Sequence, residues 1–347
     1  MTGPLSPGSE RDASRRPLVV VLGASGYIGS AVLRELSRRR IRLRAVARGP
    51  FAAPAGGRAV TEVVRADLTE EGAVAAAVDG ADAVIHLVAH MTGRGAWRSA
   101  ASDPAAERVN VGLVRDVLAA CAAPPDGGPG PVVLLASTNQ AADGGGPQRS
   151  AYARHKAAAE RLLLDATARG AVRGLALRLP TTVGSEAGVA PAMARRALAG
   201  ETLTLWHDGT VRREFLDVAD AARAFALALD HAADLDGRAC AVGGHAVALG
   251  DLFRTIADSA ARHTGGPPVP VLSVEPPAYA ETGDFRDLDV DSSLFRDVTG
   301  WRPGVPLRRA VDSVVAASAT ASATAPGRGA DGLDQPRLLH QGVAREG

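Results

Sequence analysis

Aromatic residues make up 3% of the 347 residues, and the chain holds only two cysteines, Cys121 and Cys240, each inside an apolar segment. Two isolated thiols exclude a disulfide framework and form no metal-ligand pattern, which suits a reducing compartment. No apolar run approaches the ~18 residues that a spanning helix needs, and Met1 to Arg16 hold no apolar core of a leader. A cytoplasmic protein that does not enter a membrane is the expectation. A surplus of charge is missing too: the formal net charge is +1, which offers no electrostatic footprint for nucleic acid or for an anionic lipid surface. Any anion the protein binds must be held by local arginines.

What is present is ordinary globular material, with 46% hydrophobic and 22% charged residues, in a chain too long for one compact core. Residues 1–16 and 316–347 are rich in Pro, Gly, Ser, Ala and Arg without periodicity, so both ends are expected to be disordered. Between them, the short apolar run at 18–22 reads as a strand buried on both faces, further strands are expected near 42–47, 60–65, 83–88, 132–137 and 174–179, and helical stretches separate them at 27–39, 70–78, 109–122 and 152–168. Such alternation predicts an α/β fold, a Rossmann-type doubly wound parallel sheet. After residue 180 the rhythm breaks, apart from an apolar helix at 218–229 fit to pack back on the sheet. The expected division is a dinucleotide-binding domain at 17–180, joined by 211–235, and a smaller interleaved C-terminal α/β substrate domain at 181–210 and 236–315.

Gly23, Gly26 and Gly29 of GASGYIG lie between the first strand and the first helix. There they permit a tight turn and bring backbone N–H groups of the segment, with Ser25, Tyr27 and Ile28, up to a pyrophosphate. The spacing G-x-x-G-x-x-G is one residue longer between the first two glycines than the common fingerprint. After the second strand the chain has Arg48 in ARG and no nearby acid, a pattern that accommodates the 2′-phosphate of NADP(H) rather than the free ribose of NAD. Asp67 and Leu68, after the third strand, stand where the adenine edge would lie; an ordinary capping role for Asp67 is the alternative.

With DAVIHLVA at 82–89, Asn110 in ERVNVGLVRDVL, LLAST at 134–138, YARHK at 152–156, RLPTTVG at 178–184 and RREFLDVAD at 212–220, the chain resembles the extended short-chain dehydrogenases that act on nucleotide sugars, over about residues 18–315. Within that family it is most similar to 4-ketoreductases of deoxysugar biosynthesis. The resemblance implies that Leu87, Val88 and Ala89 line the cofactor and that Thr138, Tyr152 and Lys156 form the catalytic group. Pro180 and Thr181 would lie near nicotinamide and substrate, and Asn110 under the site. It implies further that Arg213 holds a substrate diphosphate, and that Arg286 in GDFRDLDVD is a second diphosphate ligand. The loop from His90 to Trp97, together with Asn139 and Gln140, would meet the sugar. A homodimer is left open.

Tyr152 and Lys156 are four residues apart on one helix face. A free phenol with a pKa near ~10 is a poor acid at neutral pH, and an adjacent ammonium is expected to lower it. Tyr152 would then give its proton to a carbonyl oxygen that Thr138 also hydrogen-bonds. Dehydratases of the family place Asp and Glu after the catalytic Thr; this chain has Asn139 and Gln140, which argues against water elimination. The expected activity is therefore reduction by NADPH. Its rivals are a nucleotide-sugar 4-epimerase, a reductase of steroid-like or flavonoid-like ketones with no use for Arg213, and a non-catalytic NADP-binding regulatory protein.

Overall fold

The computed structural model describes residues 16–90, 104–122, 130–142, 150–184, 188–277, 280, 282–288 and 290–324. The expectations for residues 1–15, for the loop at 91–97 and for residues 325–347 lie outside them. β1 (Leu18–Leu22) is the run LVVVL, buried at every position, and its β-branched valines suit a central strand with both faces covered. It leads through the glycine turn into α1 (Tyr27–Leu36), and β2 (Arg42–Ala47), β3 (Val60–Arg65), α2 (Ala73–Val78) and β4 (Ala83–His86) follow. A short helix, Pro104–Glu107, then runs through a π turn into α3 (Leu113–Ala120), ahead of β5 (Val132–Thr138), α4 (Ala151–Ala168) and β6 (Arg173–Leu179).

The later elements are β7 (Thr181–Val183), α5 (Val189–Leu198), β8 (Leu203–Leu205), β9 (Arg212–Asp217), α6 (Val218–Asp230), β10 (Arg238–Ala241) and β11 (His245–Ala248), then α7 (Leu249–Thr264), β12 (Val271–Ser273), α8 (Ser293–Thr299) and α9 (Leu307–Thr324).

Seven strands form one parallel sheet in the order β10-β6-β5-β4-β1-β2-β3, the doubly wound fold expected from the alternation. Helices α1 and α6 cover one face through Val32, Leu36, Ala221 and Phe225, and α3 and α4 cover the other through Val114, Val117, Ala159 and Leu163. β1 pairs with β2 on one side and β4 on the other, so the strand order reverses there and opens a crevice at the carboxyl ends. A three-stranded sheet, β11-β9-β7, and a β12-β8 pair lie around a second core with α5, α7 and α9.

Three boundaries differ from expectation. The segment 211–217 does not pack back with α6: as β9 it joins the small sheet. β10, assigned above to the substrate part, instead pairs with β6 and becomes the edge of the large sheet. The folded body does not end at 315, because α9 continues to Thr324. Its Ala310, Val311, Val314, Val315 and Ser318 make a buried stripe at helical spacing, which the Ala/Ser/Thr composition conceals.

Asp220, fully buried, ties α6 to the chain leading into α9. Its Oδ2 accepts from Gly304 N (2.9 Å) and Val305 N (2.8 Å), Arg223 stands 2.9 Å from Oδ1, and its carbonyl accepts from the indole of Trp301. Asp220→Ala strands the Gly304 and Val305 amides and the Arg223 guanidinium, while the indole keeps its backbone acceptor, and is expected to cost about 3 kcal/mol. Urea unfolding measures this, and a loss under about 1 kcal/mol would contradict the role.

Candidate active site

The glycine turn closes on itself and on the neighbouring strand. Gly23 has φ +88°, and a Cβ there would lie 3.1 Å from Val88 N; a Cβ on Gly29 would lie 2.1 Å from Gly23 O. This contact explains why β4 stops at His86 rather than at Val88 as expected: Leu87 still donates to Leu22 O at 3.0 Å, but Leu87 and Val88 then pass over Gly23. The crevice so formed fits a dinucleotide, since the backbone has been cleared where a pyrophosphate would approach the start of α1. Ser25 and Gly26 are exposed in it, while Ile28 is half-buried against the core. The hydroxyl of Tyr27 donates to Val183 O at 2.5 Å, so it links α1 to β7, and burial raises its pKa.

Beside the turn lies a cleft of about 690 Å³ lined by Ser25, Ser30, Arg34, Phe51 and Arg58 among others. Arg48 is exposed at the end of β2, close enough to Asp67 for its charge to help lower that carboxyl's pKa, after the larger effect of hydrogen bonds from Thr69. Asp67 Oδ1 accepts from Thr69 N and Thr69 Oγ1 at 2.9 and 2.7 Å, and the Leu68 side chain is buried with Val74 in the core. Asp67 therefore closes a local turn, with its exposed edge still facing solvent.

Past the turn, Ala89 is exposed, and the backbone of His90 is clamped by Asn110, which accepts from His90 N at 2.8 Å and donates to His90 O at 3.1 Å. Asn110 itself is 1% exposed, a buried clamp on this backbone.

Ser150 caps α4, its Oγ accepting from Ala153 N at 3.2 Å, and this starts the helix so that Tyr152 and Lys156 share the face toward β5. Lys156 is 2% exposed, its Nζ donates to Ala136 O at 2.9 Å, and it stands 5.8 Å from the Tyr152 ring centroid. Burial pulls the amine down to about 8, against an opposing pull from Glu160. The phenol moves opposite to expectation: burial pushes Tyr152 up to about 12, because desolvation disfavours the phenolate. A protonated phenol is the form required to give up a proton. Thr138, at the end of β5, accepts from Gln140 N at 3.4 Å, which leaves its own O–H available.

Gln140 is exposed beside it, as is Thr181, while Pro180 is buried beneath Gly244. Asn139 is a correction. At 2% exposure its amide donates to Glu214 Oε2 at 2.9 Å, so burial at the start of a 3₁₀ turn removes it from the surface a sugar would touch. Arg213 donates to the carbonyls of Arg212, Arg286 and Asp284, which brings it together with the exposed Arg286, though through the backbone of that residue. Among the described residues no cluster of three histidine, cysteine or carboxylate side chains is placed to hold a metal ion, and no helix is long and apolar enough to cross a membrane.

Sequence reasoning missed two residues. Glu214 joins Asn139 to Gly244 N, and Glu160 pairs with Arg178 under the helix; neither leaves a local signal. Lys156, already singled out by its spacing from Tyr152, carries a further signal in composition: it is the only lysine in the chain.

A glycine-turned crevice at the switch point of a doubly wound sheet, with Tyr152 and Lys156 on one face of α4 and Thr138 at the end of β5, is the arrangement of an extended short-chain dehydrogenase. The chain belongs to the NAD-dependent epimerase/dehydratase family, whose profile matches residues 19–243. A relative, the dTDP-6-deoxy-L-talose 4-dehydrogenase (NAD(P)(+)) of Kitasatospora kifunensis, is 30% identical over 326 residues, 87% of this chain and 96% of that one. Similar solved structures include MoeE5 in complex with UDP-glucuronic acid and NAD, with TM-score 0.65 and 26% identity over 88% of this chain and 99% of that one. The UDP-glucose 4-epimerase of Thermotoga maritima, with UDP-glucose, has TM-score 0.70 and 21% identity over 88% and 99%. RMD from Pseudomonas aeruginosa, complexed with NADPH, has TM-score 0.65 and 21% identity over the same shares.

Gly29→Ala places a methyl group on the Gly23 carbonyl and is expected to reduce dinucleotide affinity at least about tenfold and to lower Tm. Fluorescence titration and a thermal melt check this; wild-type affinity would mean that the turn is not the dinucleotide cradle.

Proposed function

We propose that this protein reduces the 4-keto group of a nucleotide-activated deoxyhexose with NADPH, and that a dTDP-linked sugar is the substrate to try first. The observation that carries the reading is the pairing of a phenol held protonated by burial with a buried amine on one face of α4, next to a Thr138 that is followed by no free acid or base. Asn139 is neutral and engaged with Glu214, so the groups that a dehydration needs are missing there. The relative's name, a 4-dehydrogenase of a dTDP-6-deoxyhexose, describes the same bond taken in the oxidising direction.

A reduced nicotinamide bound in the crevice would supply the hydride. Tyr152 would give its phenolic proton to the developing alkoxide, Thr138 would donate a hydrogen bond to the same oxygen, and Lys156 would hold positive charge beside the phenol. Gly23, Ser25, Gly26 and Gly29 would carry the pyrophosphate. Arg48 together with Arg34 and Arg58 at the neighbouring cleft would favour a 2′-phosphate. Retention of a tightly held cofactor, as an epimerase needs, has less support than exchange of NADPH.

Steady-state reduction of a dTDP-4-keto-6-deoxyhexose, followed by loss of nicotinamide absorbance, tests the reading. NADPH is expected to exceed NADH in kcat/KM by about tenfold or more, and Tyr152→Phe to lose about 100-fold or more in kcat while still binding NADPH. Equal use of both cofactors would overturn the cofactor assignment, and near-normal turnover by Tyr152→Phe would overturn the acid.

Arg213 tests the substrate class. A diphosphate would replace the backbone carbonyls it now holds with charge-assisted, bidentate bonds, so Arg213→Ala is expected to raise KM about tenfold or more. Arg213→Lys should recover little, because the ammonium lacks the planar fork. Unchanged kinetics, or equally efficient reduction of ketones without a diphosphate, would favour the steroid-like or flavonoid-like alternative.

A further inference from the structure

Beneath α4 the sheet carries a polar row on a face that is otherwise apolar. His86 of β4, Ser137 of β5 and Arg178 of β6 lie on the same side as Val84, Leu135 and Ala176, which belong to the core under α4. Ser137 and Arg178 are register partners, and Lys156 is bonded to the carbonyl of Ala136, the residue just before Ser137. Glu160, one turn beyond Lys156 on the same helix face, is 3% exposed. Arg178 grips its carboxylate with Nε at 3.0 and 3.1 Å from the two oxygens and Nη2 at 2.6 Å from Oε2.

Apart from one carbonyl, Lys156 therefore has little to replace its lost water. The titratable and charged groups around it are Tyr152 and Glu160 of its own helix, His86 of β4 and Arg178 of β6. β5 contributes the Ala136 carbonyl and the Ser137 hydroxyl, neither of which titrates near neutrality. His86 is no help as a counter-charge. Its ring is 1% exposed, both nitrogens lack partners, and burial followed by the lysine's own charge holds it neutral, down to about 3. Glu160 is then the only carboxylate in the group, and the bidentate grip of Arg178 fixes it in place.

We propose that Glu160, fixed by Arg178, is a positioning residue that sustains the positive charge of Lys156. It acts through the lysine and touches neither substrate nor cofactor. The proposal rests on the reading of Lys156 as part of the catalytic group, but its test does not need the reaction. Because the chain has a single lysine, protein grown on lysine labelled with ¹³C at Cε gives one side-chain resonance, whose titration reads this one amine in the intact free protein.

In the wild type that resonance is expected to titrate near pH 8, as burial predicts. In Glu160→Gln the midpoint is expected to fall by about one pH unit or more, since a carboxylate within the pocket is lost and the Arg178 cation is left behind. That variant leaves a buried charge without its partner and is prone to unfold. Glu160→Gln/Arg178→Gln removes both charges together and serves as the second test, with a midpoint displaced in the same direction by less. The alkaline limb of kcat/KM for reduction should move with the resonance.

A wild-type midpoint in either folded variant, with turnover reduced, would overturn the proposal and leave Glu160 a packing residue only. A shifted resonance in an enzyme that tolerates Tyr152→Phe would instead uphold the charge relay while removing the assignment of Tyr152 as the acid.

Discussion

Nothing in the core of a parallel sheet hydrates an ammonium group, and the neighbourhood of Lys156 is arranged around that constraint. For Nζ to reach the Ala136 carbonyl at 2.9 Å, α4 must lie close on β5 and β6, and its buried positions are mostly alanine: Ala151, Ala153, Ala157, Ala159 and Ala166. The close fit continues at the far end of the helix, where Gly174 of β6 has no room for a side chain. A Cβ there would lie 2.3 Å from Thr167 Oγ1 and 2.6 Å from Leu163 Cδ1. The same closeness encloses Tyr152 and raises its pKa, so one packing choice sets the protonation of both groups, in opposite directions.

The rest of the site hangs from that sheet by a few polar ties to the smaller one. Tyr27 reaches Val183 of β7, Asn139 reaches Glu214 of β9, and Glu214 in turn accepts from Gly244 N ahead of β11. Each tie starts next to a group that the proposed chemistry would use: the glycine turn, Thr138 and Arg213. The β9 strand carries Arg213 and Glu214 on alternate faces, so the diphosphate candidate and the tie to the catalytic loop move as one rigid element. Glu214 thereby keeps the neutral amide of Asn139 engaged at 2.9 Å.

How much of this could be read beforehand depended on whether the signal was local. The ranges 18–22, 42–47 and 60–65 coincide with β1, β2 and β3, whose ends fall at glycine or arginine: Gly23 follows β1, Arg48 follows β2 and Arg65 closes β3. The glycine turn and the Tyr152 and Lys156 pair were equally plain, as spacing alone defines them. What failed was what depends on tertiary neighbours. The end of β4 is set by Gly23 across the turn, the membership of β10 by an open edge on β6, and the burial of Asn139 by a carboxylate from a strand far along the chain. The tyrosine pKa was misjudged for a similar reason: sequence shows which charge is near but not how much water is excluded.

The arginine content shows what composition can still reveal. Of 39 basic Lys and Arg side chains, 38 are arginines. A bias of that strength, as expected of a GC-rich coding sequence, turns every basic position that tolerates a guanidinium into arginine. It does so at the surface pairs Arg39–Asp230 and Arg44–Glu62, and at Arg178, where bidentate geometry is an advantage. The position that stays lysine is one where a guanidinium fails. A guanidinium keeps its proton at any working pH, whereas a compact amine can be brought by burial to a pKa of about 8. In this composition the exception is a stronger pointer to chemistry than the Y-x-x-x-K spacing, which recurs by chance in many helices.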